Sequence, residues 1–108
     1  MPQGEEELAI AFYEELLGIP RIPKPWNLEV RGGCWFERGD LKLHLGVDPD
    51  FRAARKAHPA LLVDDLDALS TLLEENGYVP TSDEPLEGYR RLYVDDPFGN
   101  RLELLEKS

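Results

Sequence analysis

The chain is short of the residues that most often announce chemistry. It has one cysteine and two histidines in 108 residues. An internal disulfide is therefore excluded, and so are zinc modules built on paired CxxC motifs. No GxSxG, Walker loop or HExxH occurs, so hydrolase, nucleotide and zincin readings lack support. Basic residues are also scarce, with 12 Lys and Arg against 22 Asp and Glu and a net charge of −10. Nothing in that balance could neutralise a run of phosphates, so nucleic acid is not an expected partner. No apolar run reaches membrane-crossing length and no leader-like segment opens the sequence. The expectation is a cytoplasmic chain without a membrane partner.

What is present suits one globular domain, residues 1–108, with 42% apolar and 31% charged residues. A chain of this size buries roughly 60–70% of its unfolded surface. Glu5-Glu6-Glu7 stands where the positive end of a helix dipole favours acids. Leu8, Phe12 and Leu16 then form a helical stripe that Gly18 and Pro20 stop. Residues 21–28 read as an irregular, proline-rich connection carrying Trp26. Strands are predicted at Cys34–Glu37 and Leu41–Val47, joined by Arg38-Gly39-Asp40. Cys34, between apolar neighbours, reads as a small buried side chain rather than a nucleophile. A strand over His58–Val63 follows, then a helix capped by Asp64 or Asp65. Its apolar face is Leu66, Leu69, Leu72 and Leu73, and it ends at Asn76-Gly77. Tyr78–Thr81 and Tyr89–Val94 complete the set before the last hairpin.

That hairpin turns through Asp95-Asp96-Pro97-Phe98-Gly99-Asn100 and leaves as Arg101–Glu106. A shift of 59 residues lays Gly77 on Gly18, Leu102 on Leu43, Glu103 on His44 and Leu104 on Leu45. Two units, about 5–47 and 58–106, are thus in register. The first lacks the opening strand that His58–Val63 supplies to the second.

The segment His58-Pro59-Ala60-Leu61-Leu62-Val63-Asp64-Asp65-Leu66 and, about 30 residues later, the Asp-Pro-Phe-Gly-Asn hairpin resemble the vicinal-oxygen-chelate superfamily. That family includes glyoxalase I, bleomycin-resistance proteins and extradiol dioxygenases. The resemblance implies an α+β fold of two βαβββ units, the first without its opening strand. A curved mixed sheet would form an open cup with the helices outside. It also implies a divalent metal ion (Zn, Ni, Mn or Fe) at His44, His58 and Glu103, with Glu103 able to serve as a general base.

Strand alternation agrees on facing, since His44 lies opposite Leu43, Leu45 and Val47, His58 opposite Leu61 and Val63, and Glu103 opposite Leu102 and Leu104. His44 could equally be a satisfied core histidine, and His58 a surface one. Trp35, Arg91 and Tyr93 would line an aromatic pocket if Cys34 and Phe36 face the core; the other register buries Trp35. Arg52 and Arg55, in a basic cluster just before His58, either hold a substrate anion or balance nearby acids.

Two functions follow. One is a metal-dependent lyase, isomerase or dioxygenase acting on a small oxygen-rich molecule. The other is a metal-free protein that sequesters a small ligand, as antibiotic-resistance members do. The unpaired edge left by the absent strand is a template for pairing. Either the natural start lies upstream, or a second copy covers the edge in a homodimer.

Overall fold

Two cores, one in each of two units, arise from strand alternation and the apolar faces of the helices. The units are Met1–Arg52 and Ala53–Ser108, in a computed structural model that describes residues 1–108. The fold is α+β, with one open three-stranded sheet in each unit.

In the first unit α1 (Glu6–Ile10) begins at the acidic triplet, with Glu6 and Glu7 in its first turn where the helix dipole favours negative charge. It runs on as a π-helical segment, Ala11–Leu16, with Leu17 N–H bonded to the Phe12 carbonyl at 3.0 Å. This widened turn sets the rings of Phe12 and Tyr13 edge to face, 5.0 Å apart, and both are buried. The buried face is therefore Ala9, Phe12 and Tyr13. Leu8, expected inside, is 47% exposed, because two adjacent aromatic rings bury more surface than the leucine stripe would.

Residues 21–28, expected to be irregular, contain β1 (Arg21–Ile22) and the start of a single helical turn, α2 (Trp26–Glu29). β2 (Cys34–Arg38) pairs with β1 on one side and β3 (Leu41–Leu45) on the other, both antiparallel. The register sets Cys34 opposite Leu45, Trp35 opposite His44 and Phe36 opposite Leu43. Cys34 and Phe36 are fully buried on the helix side, with Phe36 5.4 Å from Tyr13, so Trp35 lies on the other face with His44. Burial raises the Cys34 thiol pKa, consistent with an unreactive core residue. β3 is the outer strand. Along its continuation the Met1 amine donates to Gly46 O at 2.7 Å, and Asp48 N–H donates to Met1 O at 3.0 Å.

In the second unit β4 (Ala60–Leu62) is shorter than its apolar run. Its parallel pairing with β6 is nonetheless extended by Glu103 N–H to Pro59 O (3.0 Å) and Val63 N–H to Leu105 O (2.8 Å). Asp65 caps α3 (Leu66–Glu75), its carboxylate accepting from Ala68 N–H at 3.0 Å. Leu66 and Leu73 are buried, whereas Leu72 of the expected face is exposed. Tyr78–Thr81 is not a full strand. Pro80 has no N–H to give a ladder, and only Thr81 pairs, exchanging two 2.8 Å hydrogen bonds with Tyr93. β5 (Tyr89–Asp95) and β6 (Arg101–Lys107) form the closing hairpin, and the sheet order β4-β6-β5 makes it mixed.

Asp96, buried in the hairpin turn, accepts from the N–H groups of Phe98 (2.8 Å) and Asn100 (2.9 Å), and from the Asn100 amide. The turn is thus held by a carboxylate as well as by Pro97 and Gly99.

Gly33 has φ +84°, and a Cβ there would collide with the Leu45 carbonyl oxygen. Gly33→Ala should therefore destabilise the protein by more than about 1 kcal/mol, read as a lower midpoint in urea with an unchanged slope.

Candidate functional site

β6 is the middle strand of its sheet, and that placement decides what surrounds residue 103. Glu103 stands opposite Tyr93 on β5 and Ala60 on β4. Period-two alternation adds Arg91, Arg101 and Leu105 to this face. Leu61, Leu92, Val94, Leu102 and Leu104 take the other face, toward α3. Glu103 is 7% exposed. A carboxylate so placed needs partners.

His58 is the first. Its Nδ1 lies 2.8 Å from the Lys56 carbonyl, which can only accept, so Nδ1 carries a hydrogen. Its Nε2 then faces Glu103 Oε1 at 2.9 Å, a contact that holds one proton on either the nitrogen or the oxygen. Arg91 is the second partner, with Nη1 3.6 Å from the same Oε1. Arg91 also donates to the Tyr93 hydroxyl at 2.8 Å and to the Glu84 carbonyl at 2.9 and 2.6 Å. Burial opposes the Arg91 charge. The Tyr93 bond and the Glu103 and Asp83 carboxylates outweigh it, and the guanidinium pKa is raised. The His58 ring meets the Tyr93 ring edge-on at 5.2 Å.

Both neighbours take Oε1. Oε2 accepts no hydrogen bond, and no buried side-chain nitrogen or oxygen lacks a partner, so Oε2 opens to solvent. One oxygen of Glu103 is anchored and the other is available.

The remaining candidates are placed as follows. In the first unit His44 is exposed, with its ring stacked on Trp35 at 3.8 Å and 2°. Arg52 is exposed at that unit's end. Arg55, in the second unit, clamps the hairpin turn, bonding Gly99 O at 2.6 Å and Asp95 at 3.2 Å. It is engaged with a nearby acid. Arg101 was missed in the sequence, although its position two residues before Glu103 puts it on the same face. Its guanidinium lies 5.0 Å from the centre of the Tyr93 ring.

The fit of the implied divalent ion can be tested on these residues. His58 and Glu103 are donors of a suitable kind. Their 2.9 Å separation matches adjacent ligands with bonds of about 2.0–2.2 Å, and Nδ1–H bonded to a carbonyl is how a ligating imidazole is oriented. Two donors are too few, however, and no group of three or more His, Cys, Asp or Glu able to hold an ion is present. The Arg91 guanidinium also competes for the same carboxylate oxygen. As placed, the residues form a hydrogen-bonded pair rather than a completed metal centre.

Comparison with known proteins places this geometry in a family. A glyoxalase family protein from Bacillus anthracis shares 44% identity at a TM-score of 0.94, over 100% of this chain and 88% of that one. TnmS3, an antibiotic binding protein from Streptomyces sp. CB03234, matches at 24% identity and TM-score 0.73, over 100% and 91%. Lactoylglutathione lyase from Agrobacterium tumefaciens matches at 22% and 0.70, over 98% and 88%. Identities as low as the last two speak to the fold alone. No curated protein matches the chain. The profile of the Glyoxalase/Bleomycin resistance protein/Dioxygenase superfamily covers residues 4–104, and the chain belongs to that superfamily.

Proposed function

We propose that the polar face of the second unit binds a small oxygen-rich molecule and moves a proton on it. The carrying observation is the division of labour at Glu103, with Oε1 fixed by His58 and Arg91 while Oε2 stays open. A carboxylate held in this way is oriented as a general base. The Arg91 guanidinium and the Tyr93 hydroxyl supply positive charge and a donor beside it, where negative charge would gather on a ligand oxygen. Removal of a proton from carbon next to a carbonyl is the reaction class these groups suit. His58 positions Glu103 through Oε1, and the abstracted proton goes to Oε2.

A second reading keeps the divalent ion. The 2.9 Å spacing and the anchored imidazole favour it, with His58 and Glu103 as ligands. His44 is the third ligand that the family resemblance implies. A third reading, sequestration without chemistry, uses the same face for binding alone.

One experiment separates these. Deuterium exchange next to the carbonyl of hydroxyacetone, dihydroxyacetone and methylglyoxal, followed by proton NMR in D2O, should be accelerated by the protein and unaffected by EDTA. Glu103→Gln should lower the acceleration by about 10²–10⁴-fold while the protein stays folded. Exchange that EDTA abolishes and Zn, Ni, Mn or Fe(II) restores would establish the metal reading. The absence of exchange on every compound would leave sequestration.

The outer edge of β3 carries no further strand, and we propose that a second copy pairs there in a two-fold homodimer. Light scattering at micromolar concentration should report twice the 12.3 kDa chain mass. A stable monomer would contradict it.

A further inference from the structure

A cavity of about 410 Å³ in the second unit is lined by Tyr78, Thr81, Tyr93, Asp95, Asp96 and Arg101, among others. That volume lies within the range of small-molecule sites. Its charges are not equally free. Asp96 spends both oxygens on the hairpin turn. Asp95, the cross-strand neighbour of Arg101, is taken by Arg55 at 3.2 Å. Arg101 is left with the Tyr93 ring and no acid, although acids outnumber bases 22 to 12 in this chain. A half-buried arginine in that position is a cation with its fork unfilled.

We infer that this cavity takes the carboxylate of the ligand, and that the ligand of the proposed site is a small oxo or hydroxy acid. The planar guanidinium of Arg101 matches a carboxylate through two parallel hydrogen bonds. The Tyr93 ring beneath it keeps the guanidinium partly desolvated, which strengthens that contact. Tyr78 also lines this cavity, its hydroxyl pKa raised first by burial and then by Asp96. Arg101 precedes Glu103 by two residues on one strand, so their Cα atoms are roughly 7 Å apart. Anchor and base thus stand within the span of one small molecule, with Tyr93 opposite Glu103 on the neighbouring strand and its ring against the Arg101 guanidinium. The acid class rests on the proton-transfer reading above, whereas the anion site does not.

Titration with benzoate and with benzamide, of the same shape but neutral, tests the anion site. Nitrogen–proton NMR should show the Arg101 Nε–H signal moving with benzoate, which should bind about tenfold or more tightly than benzamide. Arg101→Gln should erase that preference, and Arg101→Lys should restore part of it. Glu103→Gln should leave the preference in place. Equal binding of the two probes by the wild-type protein, or a preference that survives Arg101→Gln, would overturn the proposal. Should Arg101→Gln fail to fold, the wild-type ratio and the Arg101 signal still decide. A benzoate preference without carbonyl exchange would remove the proton-transfer reading and leave the anion site standing.

Discussion

A carboxylate on the middle strand of a sheet is the constraint on which the second unit depends. β6 has a hydrogen-bonded neighbour on each side, so Glu103 cannot swing past a sheet edge and meets solvent only through Oε2. An ionised group held there without partners would cost several kcal/mol. The surroundings answer that demand from three separate segments. His58 comes from the approach to β4, Arg91 from β5, and the Lys56 carbonyl fixes which nitrogen His58 turns inward. The parallel register of β4 on β6, with Ala60 beside Glu103, brings His58 to this carboxylate.

The same constraint explains the distribution of function over the face. Leu102 and Leu104 hold β6 against the core, and Glu103, buried on the opposite face, is positioned by them. Tyr93 belongs to two sets of contacts, accepting from Arg91 at its hydroxyl and supporting Arg101 at its ring. Arg55 and Asp96 keep the hairpin turn closed, and in doing so they occupy the acids that would otherwise have paired with Arg101. The free cation is a product of how its neighbours are satisfied.

Much of this was legible in the residues. Alternation placed Glu103 opposite Leu102 and Leu104. The α+β class and the superfamily followed from the His58–Leu66 segment and the last hairpin. Other features were not legible, for physical reasons. The π-type turn that buries Tyr13 in place of Leu8 depends on how two rings pack, which helical periodicity does not encode. The loss of the Tyr78–Thr81 strand followed from Pro80, whose missing N–H outweighed an apolar pattern. The register that frees Trp35 from the core needed Cys34 and Phe36 to be seen against Tyr13. Whether an arginine is free depends on where every nearby acid is spent, so Arg101 could be placed on the right face but not recognised as unpaired.

His58 hands its Nε2 to Glu103 and its Nδ1–H to the main chain, and the fixed carboxylate depends on that arrangement. With only two histidines in the chain, their ring nitrogens can be assigned by long-range nitrogen–proton NMR. His58 Nδ1 should carry a hydrogen, and the Nε2 signal should move when Glu103→Gln removes the acid while Nδ1 stays protonated. A His58 ring with a bare Nδ1, or an Nε2 signal indifferent to that substitution, would contradict this arrangement.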